Sequence, residues 1–298
     1  MAEGTDVTRM LGIRYPIIAA PMFLVSNPDM LVAVGEAGGL GAMPALNART
    51  TEGFREAIRE IKRRTNAPFG VNLILLDNPR IREDMAVCLE EQVPLIITSL
   101  GNPTEVIAAC HARGMRVFCD VVNEKHAQKA KQADADALIA VSSGAGGHAG
   151  VISPFVLVPW LKREVGIPVV AAGGLADGAT LAAALALGAD AGYFGTRFIA
   201  STEAPVEAGF KDAIVAAGPE DIEYAAEVTG HPCNFLRPSL EKWRAANQAG
   251  GGGDLKKWKD VWSAGQTVGL IGDVKPCAAI VAGIMAEYEA ARTAMPSF

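Results

Sequence analysis

Eight short apolar runs, separated by stretches with helical patterning, constrain this chain more than any other feature. They cover residues 16–22 (PIIAAPM), 40–46 (LGAMPAL), 69–75 (FGVNLIL), 95–100 (LIITSL), 116–122 (RVFCDVV), 137–143 (ALIAVSS), 168–174 (PVVAAGG) and 191–198 (AGYFGTRF). Successive runs start 24, 29, 26, 21, 21, 31 and 23 residues apart. They are apolar throughout rather than alternating, as strands covered on both faces must be. Between them, residues 51–64 place Phe54, Ile58 and Ile61 on one stripe of a helix. Residues 103–113 run to Gly114, a left-handed cap, and residues 177–187 start on a capping Asp177 and stop at Gly188. Eight strands alternating with helices predict an α/β fold, a closed (β/α)8 TIM barrel. The open doubly wound sheet carries a G-x-G-x-x-G turn after its first strand, and this chain has none there.

After Thr202 the rhythm stops. Helical patterns follow at 204–217, 238–248, 255–263 and 276–293, with no further strand predicted. The chain therefore divides into a barrel, residues 1–202, and a C-terminal helical appendage, residues 203–298, expected on the barrel mouth. Four consecutive glycines, Gly250 to Gly253, read as a surface loop or hinge.

Composition removes several function classes. Half of the 298 residues are hydrophobic and a fifth are charged, enough for a sizeable core and unlike a disordered chain. The net charge of −6 argues against nucleic-acid binding, which needs a basic face. Residues 1–11 include Glu3, Asp6 and Arg9 and lack the apolar core of a signal peptide. No run approaches the roughly 18 apolar residues of a membrane helix. The five cysteines (Cys88, Cys110, Cys119, Cys233 and Cys277) show no CxxC spacing, so neither a disulfide framework nor a metal site is expected. A cytoplasmic setting is the simplest, and assembly into a homo-oligomer is left open.

In a barrel of this kind the chemistry sits at the carboxyl ends of the strands. Run seven ends in Gly173-Gly174, and run eight contains Gly195-Thr196. Both expose backbone N–H groups to an anion, and two such turns in succession suit a phosphate monoester. Run six leads into Ser142-Ser143-Gly144-Ala145-Gly146-Gly147-His148-Ala149-Gly150. Its glycines let the backbone approach a flat ligand, and His148 stands among them as a candidate base or charge carrier. His111, His126 and His231 lack that context and read as helix-surface or loop residues. Run one ends in Ala20-Pro21-Met22, with a soft methionine suited to a planar ring or to plain core filling. Asn72 and Asp120 are polar residues inside apolar strands, where each needs a partner or a ligand.

With these residues in view, the chain resembles the nitronate monooxygenase family, relatives of which include flavin-dependent enoyl-acyl carrier protein reductases and NADH:quinone reductases. The motifs are Ala20-Pro21-Met22, Gly70-Val71-Asn72-Leu73, Ala145-Gly146-Gly147-His148, Ala172-Gly173-Gly174, Gly195-Thr196-Arg197-Phe198 and, in the tail, Trp262-Ser263-Ala264-Gly265-Gln266. Each is short; their order and their strand-end positions make the set specific. The resemblance implies non-covalent FMN, its phosphate on the amides of Gly173, Gly174, Gly195 and Thr196. Its ring would lie on Ala20, Pro21 and Met22, with Asn72 at its polar edge and Gly146 and Gly147 close by. His148 would face the substrate. Asp120 takes a place near the flavin where some relatives carry a lysine. The implied reaction oxidises a small-molecule nitronate with O2 to a carbonyl compound and nitrite. An NAD(P)H-dependent reductase of a quinone or enoyl thioester is the enzymatic alternative. A phosphate-ligand binding barrel without flavin turnover is the other.

Overall fold

Strand pairing in the computed structural model, which describes residues 4–248 and 255–294, closes on itself. Eleven strands are present among those residues: β1 (Ile17–Ala19), β2 (Leu40–Pro44), β3 (Phe69–Ile74), β4 (Leu95–Ser99), β5 (Arg116–Val121), β6 (Ala137–Val141), β7 (Gly147–His148), β8 (Val169–Ala172), β9 (Ala191–Phe194), β10 (Ile222–Ala225) and β11 (Cys233–Leu236). The order β1-β2-β3-β4-β5-β6-β8-β9 forms a closed parallel barrel. Closure is made by β1 on β9, with Ile17 opposite Gly192 and Ala19 opposite Phe194. The predicted (β/α)8 TIM barrel is therefore the observed fold.

Each barrel strand stops one to four residues before its predicted end. The residues released are Ala20 to Met22, Gly173-Gly174 and the segment from Gly195, the same strand ends read as site material. They leave the ladder and turn over the barrel mouth.

Two buried layers hold the barrel. Inside it, Ile18, Leu40, Leu95, Ile97, Phe118, Ile139 and Val170 fill the centre. Outside it, the opposite strand faces meet helices, and Phe54, Ile58 and Ile61 of the helix Thr51–Arg64 are fully buried there. The helix Gly178–Ala186 starts as expected: Asp177 accepts from the Thr180 amide at 2.8 Å, and Thr180 caps in return. Gly114 and Gly188 both have positive φ.

The tail departs from the purely helical expectation. β10 and β11 pair antiparallel, and β11 continues onto β7, where Cys233 lies opposite His148. Four-residue strands are too short for their alternation to stand out in the sequence. Residues 255–263, predicted as a helix, form turns and bends, with Trp258 in the left-handed region. The helices predicted at 204–217, 238–248 and 276–293 appear as Ala208–Ala216, Arg237–Gln248 and Cys277–Ala294. The last packs on the barrel flank rather than the mouth. A Cβ on Gly178 would lie 2.0 Å from the Tyr288 nitrogen, so the two helices touch backbone to backbone. The run Gly250 to Gly253 lies outside the described residues. Among the described residues, no helix is long and apolar enough to cross a membrane.

Candidate active site

A cavity of about 920 Å³ opens at the carboxyl ends of the barrel strands, and all twelve site residues expected from the sequence line it. Parallel strands all aim their ends at one face, so side chains far apart in the chain converge there.

The corner expected to take a phosphate is built from the ends of β8 and β9. Gly173 and Gly174 have φ of +96° and +82°. A Cβ on Gly173 would lie 2.5 Å from Ser142 Oγ and 2.7 Å from the Ala145 nitrogen, so no other residue fits there. Ser142 Oγ donates to the Ala172 carbonyl at 2.7 Å, which fixes the opposing turn. Among the described residues, the amides of Gly173, Gly174, Gly195 and Thr196 donate to no backbone carbonyl. Thr196 Oγ1 instead accepts from the Gly265 amide at 2.9 Å, so the tail braces this corner. Arg197 turns away from it and pairs with Asp273 at 2.9 Å.

The glycine-rich loop after β6 owes its composition largely to the tail. A Cβ on Gly146 would sit 2.9 Å from the Gly265 nitrogen, and one on Gly265 would sit 2.4 Å from the Gly144 carbonyl oxygen. Gly147, with φ of +69°, donates its amide to Ser263 Oγ at 2.6 Å. Asn234 Nδ2 donates to the carbonyls of Ser143 and Ala145 at 3.1 and 2.7 Å. The close approach expected for a flat ligand is thus an approach of chain to chain, although Gly146 and Gly147 also border the cavity.

His148 is consequently not a free loop residue. It sits on β7, with its ring 5.5 Å from that of Trp258 and 6.0 Å from that of His231. Burial, and then the nearby His231, push its pKa below the ordinary value. At neutral pH the imidazole is uncharged, ready to accept a proton or to donate one hydrogen bond. Neither Trp258 nor the place of His231 was legible from sequence, because only the pairing of β11 with β7 brings them here.

On the other side of the mouth, Ala20 donates its amide to Phe194 at 2.9 Å, continuing the β1–β9 seam. The Met22 amide donates to Ser26 Oγ at 2.9 Å, and Asn47 Nδ2 donates to the Met22 and Ser26 carbonyls. The Ala20-Pro21-Met22 turn is held rigidly.

Across the top layer of the barrel interior runs a polar chain. Asn72 Nδ2 donates to the Ile97 carbonyl at 3.1 Å and to Ser99 Oγ at 2.7 Å, and Ser99 Oγ donates to Asp120 Oδ2. Both amide protons of Asn72 are thereby committed, leaving its Oδ1 to face a ligand. Among the described residues, Asp120 Oδ1 and the Tyr193 hydroxyl are the buried side-chain polar atoms without a partner. Burial pushes the Asp120 carboxyl up to about 6, against the opposing hydrogen bond from Ser99. Burial, with Asp120 adding to it, pushes Tyr193 well above its ordinary value. Tyr193 was missed from sequence; its signal was its place two residues after Ala191 on an inward-facing register.

Comparison with known proteins follows the same residues. The family model described as nitronate monooxygenase matches residues 5–85 and 79–242. A nitronate monooxygenase of Paraburkholderia phytofirmans is 32% identical over 281 residues, covering 78% of this chain and 76% of that protein. A (3aS,4S,5R,7aS)-5-hydroxy-7a-methyl-1-oxo-octahydro-1H-indene-4-carboxyl-CoA dehydrogenase of Rhodococcus jostii is 35% identical over 236 residues, covering 79% of this chain and 66% of that one. Among solved structures, FabK from Thermotoga maritima superimposes with a TM-score of 0.89 at 36% identity, covering 97% of both chains.

Proposed function

The chain belongs to the nitronate monooxygenase family and is an oxidoreductase, and from that premise we propose that it is an FMN-dependent enzyme that oxidises alkyl nitronates with O2 to a carbonyl compound and nitrite. The observation that carries this reading is the set of four uncommitted amides, of Gly173, Gly174, Gly195 and Thr196, on the cavity that also holds His148.

The residues present fit FMN. Main-chain amides converging on one corner suit a phosphate dianion, which needs donors and no counter-acid. Rigid, apolar Ala20-Pro21-Met22 suits one face of a flat ring, with the methionine sulfur supplying a polarisable contact. The unpartnered Asp120 Oδ1 and Tyr193 hydroxyl, with the free Oδ1 of Asn72, mark a polar edge beside it. When bound, FMN supplies the electron transfer from nitronate and the reaction with oxygen.

The protein's own part falls to His148. Uncharged at neutral pH, it can take the α-proton of a neutral nitroalkane. When the substrate is already a nitronate anion, the imidazole donates a hydrogen bond to it and gains proton affinity from its charge. Electrostatic holding by a standing imidazolium, the stronger form of the expected role, does not accord with the lowered pKa.

The relative named as a dehydrogenase of a carboxyl-CoA compound favours a second reading, an NAD(P)H-dependent reductase of an enoyl thioester or quinone at the same cofactor site. Anaerobic mixing separates the two. Rapid bleaching of the visible flavin absorbance by an alkyl nitronate, with slow bleaching by NADH and NADPH, supports nitronate oxidation. The reverse order supports the reductase.

A further inference from the structure

The cavity is divided by strand. The ends of β5 to β9 contribute Asp120, the glycine turns, His148 and Thr196. The ends of β1 to β4 contribute Phe23, Val25, Pro44, Leu46, Ile74 and Leu100 to the same wall, beside the uncharged polar Asn72, Ser99, Asn102 and Thr104. The basic residues lining the cavity are His126, Lys129 and His148, all from β5 onward; among the described residues, the β1–β4 half carries none.

Two features show that the apolar side chains on this uncharged side are presented rather than left over. Leu24 and Leu100 are non-glycine residues with φ of +62° and +54°. Such backbone is rarely adopted by branched side chains and persists only where the surroundings over-determine it. The surroundings do so here. Asn47 Oδ1 accepts from the Leu24 amide at 2.9 Å while its Nδ2 holds the carbonyls of Met22 and Ser26. Beyond Leu100, a Cβ on Gly101 would lie 2.6 Å from Leu75 Cβ, so the turn is seated on the end of β3. The outcome is that Phe23 and Leu100, each more than a third exposed, line the rim of the cavity. Exposed apolar side chains continuous with a ligand cavity are a recognition surface.

We propose that this lip, formed by Phe23 and Leu100 and supported by the Asn47 clamp, receives the carbon chain of the substrate, so that the enzyme selects extended unbranched aliphatic substrates over short or carboxylate-bearing ones. The proposal rests on the nitronate reading for the identity of the reacting group. The lip itself would serve any aliphatic tail. At 920 Å³ the cavity is near the upper end for a single bound ligand, which leaves space for cofactor and chain together.

The test uses the FMN-loaded protein and straight-chain 1-nitroalkanes from nitroethane to 1-nitrohexane. Calorimetry measures their affinity, and steady-state assays measure kcat/KM on their nitronates. Both are expected to rise about threefold per methylene, somewhat under the value for complete burial. The double variant Phe23→Ser, Leu100→Asn should bring that factor close to one at unchanged FMN content; asparagine tolerates the left-handed backbone at position 100. The nitronate of 3-nitropropionate should be a poorer substrate than butyl nitronate. Turnover that is independent of chain length overturns the lip and leaves nitronate oxidation standing. Chain-length-dependent binding without nitronate turnover supports the lip and overturns the nitronate reading. Failure of every nitroalkane to bind, or an unchanged chain-length factor in the double variant, overturns the lip.

Discussion

The rings of His148 and Trp258 stand 5.5 Å apart with their planes tilted by 52°. One sits on a two-residue strand beside the barrel mouth and the other on the tail. The contact, together with the pairing of β7 with β11, makes the tail part of the cavity wall. Ring contacts of this kind hold an imidazole in place without consuming a ring nitrogen.

Removing the base separates its role from cofactor binding. His148→Ala should retain its full flavin spectrum while kcat/KM on neutral nitroalkanes falls by about 10²–10⁴-fold, the usual share of a positioned base. Activity on preformed nitronates should fall less, because no proton remains to be taken. Equal steady-state kinetics in variant and wild type would remove the assigned role.

The pH profile carries the sign of the His148 shift. The working form of a base is the neutral one, so kcat/KM on nitroalkanes rises with pH through its pKa. Burial and His231 lower that pKa, so the rise should be centred below the ordinary 6.5. His231→Ala removes one of the two causes and should move the limb upward. A wild-type limb centred above pH 7 contradicts this.

Asp120 links folding to pH in the opposite sense. Its carboxyl titrates near 6 in the folded chain against 3.8 unfolded. The folded state therefore holds the proton more tightly: full stability is present below about pH 4 and is lost as pH rises through about 6. A rise from 3.8 to about 6 corresponds to a cost of at most ~3 kcal/mol. Asp120→Asn should flatten the fall in thermal stability between pH 4 and 7. An unaltered slope argues against a buried, under-partnered carboxylate.

The last helix should depend on one glycine. In Gly178→Ala the new methyl would occupy space 2.0 Å from the Tyr288 nitrogen and 2.2 Å from the Ile284 carbonyl oxygen. The helix Cys277–Ala294 must then lift from its seat, at an overpacking cost of about 1–3 kcal/mol. The Gly178 amide also risks its bond to Glu287. A thermal melt within a degree of wild type would contradict the backbone-to-backbone contact.

The barrel was legible because each strand is buried on both faces, so its apolar run stands out against the amphipathic helices. The strand ends were legible for a related reason: Gly173-Gly174, Gly195-Thr196 and Ala20-Pro21-Met22 interrupt those runs where the ladder stops. The tail hid its strands, because β10 and β11 hold four residues each and their partner β7 only two. Gly146 was legible as a site of close approach but not of what approaches, since Ala264 and Gly265 lie far along the chain. Asp120 read as an isolated oddity, and Tyr193 did not stand out at all. Only closure of β9 onto β1 sets both around one interior layer, where their unpartnered atoms become informative.

The central claim is that the amides of Gly173, Gly174, Gly195 and Thr196 hold the phosphate of FMN, and equilibrium titration of the apoprotein with FMN and with riboflavin tests it most directly. Fluorescence quenching should report binding of one FMN per chain at least ~100-fold tighter than riboflavin, as several charge-assisted hydrogen bonds require. Gly173→Ala should abolish that preference. Equal affinity for the two flavins, or no binding of either, would contradict the account.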